Sequence, residues 1–479
     1  MDILKKYGLC MPDILLPAAE MQAVKTGDTK KAAAMSKEPS AWAVVACDQY
    51  TQDRAYWEKA ARIAEGKPSA MHIILPEIYL NELSQAEKEK AAVSIQNKMK
   101  DYLTGGVFAP PINGFIYVER TTAYGRLRKG LVAAIDLEEY EWKKGTKAKI
   151  RATEATIVSR IPPRIAIRKN APLEIPHIML LVNDKEHSFI EKIGEIVKAE
   201  SRPLYDVELM MGAGHITGRK VSSGDVLSHM EKALASIAAE NTDSDGNVFM
   251  FAVGDGNHSL ATAKAVWDEL KKNCGGIEQN GSISIPQNLE NHPARYALVE
   301  IVNLYDEGLT FEPIHRIVFE ENARPLVSFV QSKLGGTLEI CGSENELIKR
   351  VASSAGKTAV FGFASAQDGF LSLSVELDCL AVSAFQPVLD MLIEQKCENG
   401  CVNTGNKELL DYIHGAEDVL RLARDKDKTA VLLPPIEKYS FFATIEKYGS
   451  LPRKSFSMGE ASEKRFYFEC RRLEKKRNA

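Results

Sequence analysis

A short run of glycine and polar residues near the middle of the chain has the residue types best suited to chemistry. Gly254-Asp255-Gly256-Asn257-His258-Ser259 combines two glycines with a carboxylate, an amide, an imidazole and a hydroxyl. Glycine lets a ligand approach the backbone closely, and a helix that begins at such a turn presents unpaired N–H groups to an anion. The run therefore predicts a phosphate or carboxylate site, with Gly254, Gly256, Asn257 and Ser259 as the binding residues.

The same residues also fit an ordinary capped helix, with Asn257 or Ser259 as the N-cap. Asp255 would then cap the turn instead of binding Mg2+, and His258 would be satisfied within the turn instead of donating to a phosphate. The run matches neither the G-x-G-x-x-G pattern nor the Walker lysine-serine pair. Both interpretations stay open from the spacing alone.

The flanking residues predict the two elements that position this turn. Phe249–Val253 is a short apolar run typical of a buried strand, and it leads directly into the turn. From Leu260 to Leu270 apolar residues recur at helical spacing. We therefore expect a strand, a tight turn and a helix that begins within a residue or two of Asn257.

Three further groups of residues are candidates for binding an anionic substrate or the phosphate of a cofactor. Arginines recur between positions 151 and 168, and the guanidinium groups of Arg160 and Arg164 match the geometry of phosphate or carboxylate oxygens. An exposed loop is the alternative for that proline-interrupted segment. His315-Arg316 is a second candidate pair for the substrate, and Lys454-Ser455 is a candidate for binding the phosphate of a cofactor. A solvated surface position is the alternative for each pair.

Length and composition restrict the class of protein. The chain has 479 residues, of which 45% are hydrophobic and 26% charged, and its formal net charge is -4. This balance excludes a disordered or strongly basic protein, so nucleic acid is not an expected partner. The eight cysteines are scattered and form no zinc-ligand pattern. We find no signal peptide and no apolar run of eighteen residues, and we expect a cytoplasmic protein with no membrane partner.

The pattern of elements predicts an α+β, mixed-sheet, multi-domain protein. We expect a main body at 1–323, a small α+β insertion at 324–430, and C-terminal strands at 431–479 that rejoin the main body. Strands are expected at Met71–Leu75, just before Pro76-Glu77, and at Ser440–Ile445. The position of Glu77 after an apolar strand suits a general base, although a solvated glutamate is the alternative.

Several of these landmarks match a known family, and the chain resembles domain-of-unknown-function family 1015. The matching landmarks are Asp48–Asp53, Pro76-Glu77, Gly130–Val132, Glu154/Thr156/Arg160, Gly254–His258, Asp306–Leu309, Pro313–Arg316 and Pro452–Ser455. The central motif of that family usually reads D-G-H-H-R. Here Asn257 replaces the first histidine and Ser259 replaces the arginine, which indicates a divergent branch.

The family motif is similar to the phosphate-binding turn of the ParB/sulfiredoxin-like superfamily, which includes free serine kinases. The resemblance implies a strand-turn-helix of that type, which binds the phosphates of ATP or ADP near His258, with Mg2+ at Asp255. It further implies that Glu77 acts on a small hydroxyl group and that Asp48 contacts the substrate. Family members tend to be encoded beside serine-biosynthesis genes, which implies serine or phosphoserine as the substrate.

Three functions follow as expectations. The first is a phosphotransferase that acts on a small hydroxy amino acid with a nucleotide and Mg2+. The second is a nucleotide- or metabolite-binding regulator, for which the replacements at Asn257 and Ser259 are the reason. The third is a phosphoserine phosphatase-like hydrolase that uses the arginines without a nucleotide. The sequence predicts no oligomeric state.

Overall fold

The chain forms two compact units in the computed structural model, which describes residues 2–25, 39–80, 82–154, 161–279, 281–398 and 409–474. Unit 1 comprises Met1–Leu309 and Glu460–Ala479, and unit 2 comprises Thr310–Gly459. The predicted boundaries after residues 323 and 430 differ from these. The reason is that the strand at 315–319 pairs with the strand at 428–432, which places both in unit 2.

The strands are numbered in chain order. They are β1 Leu9–Cys10, β2 Asp13–Ile14, β3 Val44–Val45, β4 Ile112–Asn113, β5 Phe115–Thr122, β6 Leu127–Asp136, β7 Tyr140–Glu141, β8 Ile150–Ala152, β9 Leu173–Glu174, β10 Met179–Val182, β11 Tyr205–Glu208, β12 Gly214–Val221, β13 Phe251–Asp255, β14 Glu278–Gln279, β15 Ser282–Ile283, β16 Tyr296–Asn303, β17 Phe311–Pro313, β18 His315–Phe319, β19 Thr337–Cys341, β20 Thr358–Ser365, β21 Gly369–Glu376, β22 Leu410–Ile413, β23 Lys428–Leu432, β24 Phe456–Met458, β25 Phe466–Tyr467 and β26 Arg471–Arg472.

The α-helices are numbered in the same way. They are α1 Ala18–Lys25, α2 Arg54–Ala64, α3 Glu77–Leu80, α4 Gln85–Thr104, α5 Ile161–Arg168, α6 Ile190–Glu200, α7 Gly224–Glu240, α8 Asn257–Asn273, α9 Ala323–Leu334, α10 Glu344–Ala352, α11 Ala381–Glu398, α12 Ala416–Leu422 and α13 Lys438–Tyr448. Within the described ranges, none of them combines the length and the apolar character needed to span a membrane.

A large mixed sheet organises unit 1. Its strand order is β11-β12-β5-β6-β16-β10-β13-β8-β7, and β1 also pairs with β6. Strand β10 runs parallel to β16 and antiparallel to β13, so that Met179 at the start of β10 lies opposite Asp255 at the end of β13. This register brings the residues just before β10 beside the turn that follows β13.

Both faces of this sheet are buried, because successive side chains of a strand point to opposite faces. On β5, Phe115 and Tyr117 belong to a core cluster that includes apolar residues of α6, α7 and α8. Ile116 and Val118 belong to a second cluster that includes residues of α2 and α4 and the C-terminal Phe466. The sheet is therefore the middle layer of unit 1.

Unit 2 is built around a separate antiparallel sheet of order β19-β21-β20-β23-β18-β22. Its two ends meet, because β17 pairs antiparallel with β24 and the N–H of Gly459 donates to the carbonyl of Thr310 at 3.1 Å. The chain therefore enters and leaves unit 2 at neighbouring points.

Two local predictions were wrong. The expected strand at Met71–Leu75 is a 3-10 helix over Ala70–Ile73, and Glu77 begins α3 instead of following a strand. The expected strand at Ser440–Ile445 lies within α13. Short apolar runs do not distinguish a strand from a buried helix, and here tertiary packing decides. In the described part of the arginine segment, for which an exposed loop was the alternative, Arg164 lies in α5.

Candidate functional site

The predicted turn joins β13 to α8, and Gly256 gives it its shape. Gly256 has φ of +81° and immediately precedes α8, and its N–H donates to Asp255 Oδ1 at 2.9 Å. A Cβ at this position would lie 3.1 Å from Ile178 Cα, so both the backbone angle and the close approach require glycine. Among the described residues, no side chain caps this helix. The start of α8 carries the partial positive charge of a helix N-terminus, which attracts anions.

Asn257 has a different environment from the one predicted. Its side chain is 8% exposed, its Oδ1 accepts a hydrogen bond from the N–H of Thr153 at 3.1 Å, and its Nδ2 donates to Thr153 Oγ1 at 3.3 Å. The amide therefore fastens the start of α8 to the end of β8. These bonds turn the side chain inward, away from the predicted contact with a nucleotide.

A lysine from the C-terminal segment meets the carboxylate of the turn. Lys464 Nζ lies 3.4 Å from Asp255 Oδ2, and Gly254 and Asp255 are the partly exposed end of β13. Among the residues the structure describes, no three His, Cys, Asp or Glu side chains are grouped so as to hold a metal ion. Asp255 is thus not part of a preassembled metal site, and a Mg2+ here would need further ligands from a bound phosphate.

A cluster of polar side chains extends from Ser259, in the first turn of α8. Ser259 Oγ lies 3.3 Å from His177 Nε2, and Asp48 Oδ2 lies 3.7 Å from the same nitrogen. On the other side of the ring, His177 Nδ1 lies 2.9 Å from the hydroxyl of Tyr467, which accepts the N–H of Cys47 at 3.2 Å. Predicted residues Asp48 and Ser259 are thus brought together by a histidine that the sequence analysis did not select.

Burial sets the protonation of this cluster. It raises the pKa of Tyr467 well above its ordinary value and the pKa of the Cys47 thiol to about 11, so both stay protonated at neutral pH. Burial also raises the pKa of Asp48, but the attraction of His177, a hydrogen bond from Gln49 and nearby cations outweigh it. The net pKa of Asp48 is below its ordinary value, and the carboxylate is ionised. Tyr467 thus shares a hydrogen bond with Nδ1 of His177, and the other ring nitrogen, Nε2, faces Ser259 and Asp48.

Glu77 and Arg164 form an ion pair at the edge of the same region. Their side chains are 21% and 20% exposed, so solvent reaches both. The N–H of Glu77 donates to the carbonyl of Cys47 at 2.8 Å, which ties the start of α3 to the Asp48 turn. The guanidinium thus engages the carboxylate of Glu77, the residue predicted to act as a general base.

A cavity of about 150 Å3 opens between these groups. Its polar lining includes Glu77, Arg164, His177 and Ser259. The rest of its wall is mostly apolar and comes from the segments at 73–80 and 167–178, with Met99 of α4. Space for a small ligand thus lies beside the first turn of α8.

Four further predicted residues, His315, Arg316, Lys454 and Ser455, lie in unit 2, whereas His258 lies in α8 of unit 1. Arg316 is fully buried, its Nε donates to Gln386 Oε1 at 2.9 Å, and its guanidinium also donates to the carbonyl of Lys454 at 3.1 Å. His315 Nδ1 accepts the N–H of Leu433 at 3.1 Å, and Ser455 is also fully buried. The structure thus groups the four residues within unit 2, where these contacts hold its own segments together. Arg160 lies outside the described residues.

The site contains residues that sequence reasoning missed, namely Thr153, His177, Lys464 and Tyr467. His177 had a usable signal, because it follows Pro176 immediately before the apolar run of β10. Lys464 and Tyr467 had none, because they reach the site from the far end of the chain through the pairing of β25 with β3.

Comparison with known proteins gives one family and several distant structures. The model of the family described as "Protein of unknown function (DUF1015)" matches residues 30–392. A free serine kinase in complex with AMP is similar at 10% identity and a TM-score of 0.34, over 71% of this chain and 92% of that chain. A C-terminally truncated SbnI from Staphylococcus aureus is similar at 7% identity and a TM-score of 0.30, over 68% and 82%. A conserved hypothetical protein from Pyrococcus furiosus is similar at 9% identity and a TM-score of 0.32, over 71% and 95%. The curated proteins contain no match.

Proposed function

This chain belongs to the DUF1015 family, and we propose that it transfers a phosphoryl group from a nucleotide to the hydroxyl of a small hydroxy amino acid. The observation that supports this best is the position of Ser259. It lies in the first turn of α8, where backbone N–H groups attract phosphate, and it also lines the cavity beside Glu77 and Arg164. Phosphate donor and hydroxyl acceptor can therefore meet at one residue.

The charged groups around the turn suit phosphoryl transfer. Lys464, next to Asp255, offers positive charge to a phosphate bound at Gly254–Ser259. Mg2+ would be bound by Asp255 together with phosphate oxygens of ATP or ADP, and it would neutralise charge on the phosphoryl group. His177 Nε2 and the Ser259 hydroxyl face the same space and can donate hydrogen bonds to phosphate or acceptor oxygens.

The transfer requires little covalent chemistry from the protein. The bond between the terminal phosphorus and its bridging oxygen breaks, a new bond forms to the acceptor oxygen, and the shortened nucleotide leaves. The acceptor proton passes to the ionised carboxylate of Asp48, which lies beside His177. Glu77 and Arg164 bind the acceptor. This assignment replaces Glu77 with Asp48 in the role of proton acceptor.

Calorimetric titration of the full chain with ATP and ADP, with and without Mg2+, tests the phosphate site. Ser259→Ala and His258→Ala are expected to weaken nucleotide binding roughly 10- to 100-fold, because hydrogen bonds to charged groups contribute about 1.5–3 kcal/mol. Ser228→Ala is the control, since the Ser228 hydroxyl donates only to Gly224 within α7 among the described contacts. Unchanged binding in both test variants would refute the phosphate site.

Phosphorus NMR with serine and other hydroxy amino acids then tests transfer. Formation of a phosphomonoester that depends on nucleotide supports the proposal. Nucleotide binding without any product would instead support the regulator. Release of phosphate from phosphoserine without nucleotide would support the hydrolase.

A further inference from the structure

The cavity beside α8 has an unusual combination of walls. Its charged pair, Glu77 and Arg164, is partly exposed and balanced in charge, whereas most of the other lining is apolar. Ile73, Met99 and Ile178 belong to that apolar wall. The side chain of serine is a single carbon and a hydroxyl, so bound serine would leave most of this apolar wall without an apolar group to pack against.

We propose that this cavity binds a zwitterionic α-amino acid whose side chain is larger and more apolar than that of serine and carries a hydroxyl group. The inference rests on the proposed function and names the acceptor class of that site. Arg164 takes the α-carboxylate and Glu77 takes the α-ammonium, because these are the charges that complement each side chain.

The ion pair itself supports a zwitterion over a singly charged ligand. When the amino acid binds, Arg164 pairs with its carboxylate and Glu77 pairs with its ammonium group, in place of the ion pair between the two side chains. The net charge of the site is therefore unchanged. An anion or a cation alone would complement the charge of only one member of the pair, whereas a zwitterion complements both. The pair thus selects for the α-amino acid head group.

The second charged pair in the wall does not compete for this role. Arg168 Nη2 lies 2.6 Å from Glu174 Oε2, and Glu174 is also held by Arg471 at 2.6 Å. Glu174 further accepts the N–H of Leu298 at 3.0 Å and is 5% exposed. Its oxygens are therefore committed to the fold, and Glu77 and Arg164 remain as the pair that a ligand can reach.

The size of the cavity limits the side chain. A dry cavity of about 150 Å3 is large enough for one benzene molecule in another protein. The apolar part of the ligand is therefore at most about one ring, with its hydroxyl directed toward His177 and Ser259. Each further methylene group that the wall buries is expected to strengthen binding about fourfold.

Binding to the full chain without nucleotide tests this inference separately from phosphate transfer. Calorimetry with L-serine, L-threonine and L-tyrosine should give affinities that rise in that order. Tyramine, which lacks the carboxylate, and 3-(4-hydroxyphenyl)propionate, which lacks the ammonium, should each bind at least 10-fold more weakly than L-tyrosine. Serine affinity equal to or above that of the larger amino acids would overturn the inference, and so would no loss with either analogue.

Variants of the lining provide the controls. Arg164→Gln and Glu77→Gln should weaken binding of L-tyrosine at least 10-fold, whereas Lys169→Gln, which removes the exposed pair with Glu269, should not change it. Ile167→Phe keeps the wall apolar but fills the cavity, so it should weaken L-tyrosine binding more than L-serine binding. Ile167→Phe keeps the test valid if Arg164→Gln fails to fold.

Two outcomes separate this inference from the proposed function. Amino-acid binding without nucleotide binding would leave the cavity assignment standing and refute phosphotransfer. Nucleotide binding and transfer to serine, with no preference for larger side chains, would support the proposed function and overturn the inference. Tighter binding of adenosine than of any amino acid, lost in Ile167→Phe, would assign the cavity to a nucleobase and also overturn it.

Discussion

Two histidines show how the contacts of a single residue decide its role. His177 bonds Tyr467 through one ring nitrogen and presents the other to Ser259 and Asp48 at the cavity. His315 is buried in unit 2 and accepts a backbone N–H through Nδ1. The first histidine therefore lines the cavity, whereas the second holds a backbone group within unit 2.

The buried position of His315 predicts acid sensitivity in unit 2. Burial lowers the pKa of His315 to about 4, and the charges of Arg316 and His414 act in the same direction. Between pH 6.5 and 4 the unfolded chain binds a proton at this residue and the folded chain does not, so acidification favours unfolding. The stability that His315 contributes above pH 6.5 is lost as the pH falls through this window, by roughly 3 kcal/mol at most.

Hydrogen exchange of peptides that cover β18 and β23 measures this loss between pH 7 and pH 4, after correction for intrinsic exchange rates. In His315→Asn the amide oxygen can still accept the N–H of Leu433 but does not titrate, so the variant should lose less protection than the original chain. Equal acid sensitivity of the two proteins would contradict the prediction.

At the site, the sequence predicted the residues that lie on the turn but not those that reach it from other elements. The glycines and Ser259 follow from local spacing, because the turn shape and the start of α8 are local properties. The inward position of Asn257 depends on Thr153, and the charge next to Asp255 comes from Lys464. Both partners are distant in sequence, and no local pattern indicates them.

At the scale of elements, prediction succeeded where the pattern was long. The charge pattern at 84–104 predicts a helix, and this helix is α4, whose Ser84 forms a capping box with Glu87. The alternating runs Phe115–Glu119 and Arg126–Leu137 predict an antiparallel pair, and this pair is β5 and β6. It failed for short apolar runs such as Ser440–Ile445, which buries Phe441 and Phe442 as part of a helix. An apolar run of six residues fits both a helix and a strand, and only the residues that it packs against decide which of the two forms.

The β13–α8 connection predicts a specific effect of substituting Gly256. Gly256→Ala places a Cβ in a backbone with φ of +81° and 3.1 Å from Ile178 Cα, so the turn must shift away from β10. The left-handed conformation costs about 1–2 kcal/mol, and the contact adds to it. Because the shift also moves the first N–H groups of α8, we expect weaker binding of ATP or ADP as well as lower stability.

Gly246→Ala is the matched control for this turn. Gly246 has φ of +83°, but a Cβ there would have no neighbour within 4 Å. This variant should lose a similar conformational free energy and keep its nucleotide affinity, as measured by urea unfolding and calorimetry. Equal nucleotide affinity in Gly256→Ala and the original chain would contradict a phosphate site at the turn.

At the scale of the whole molecule, unit 1 depends on its C-terminal segment. Arg465 forms ion pairs with Glu300 and with Glu469, and Arg120 donates to the carbonyls of Ser462 and Lys464 at 2.9 and 3.1 Å. These charged groups are buried, so removal of the C-terminal segment would leave the charges of Arg120 and Glu300 buried without the partners that stabilise them. The segment also supplies Lys464 and Tyr467 to the candidate site, which links the integrity of unit 1 to its proposed function.

This dependence predicts opposite outcomes for two shortened chains. A chain in which a short Gly/Ser linker replaces Thr310–Gly459 should fold, because unit 2 begins and ends at hydrogen-bonded neighbours and the linker spans a short distance. A chain that stops at Leu309 should not fold, since it leaves Arg120 and Glu300 buried without Arg465 and the 460–472 backbone.

The four tryptophans all lie in unit 1, so near-ultraviolet circular dichroism during thermal unfolding reports on it directly. A cooperative transition at the same temperature in both chains would contradict the role of the C-terminal segment, and loss of structure in both would instead show that unit 1 requires unit 2.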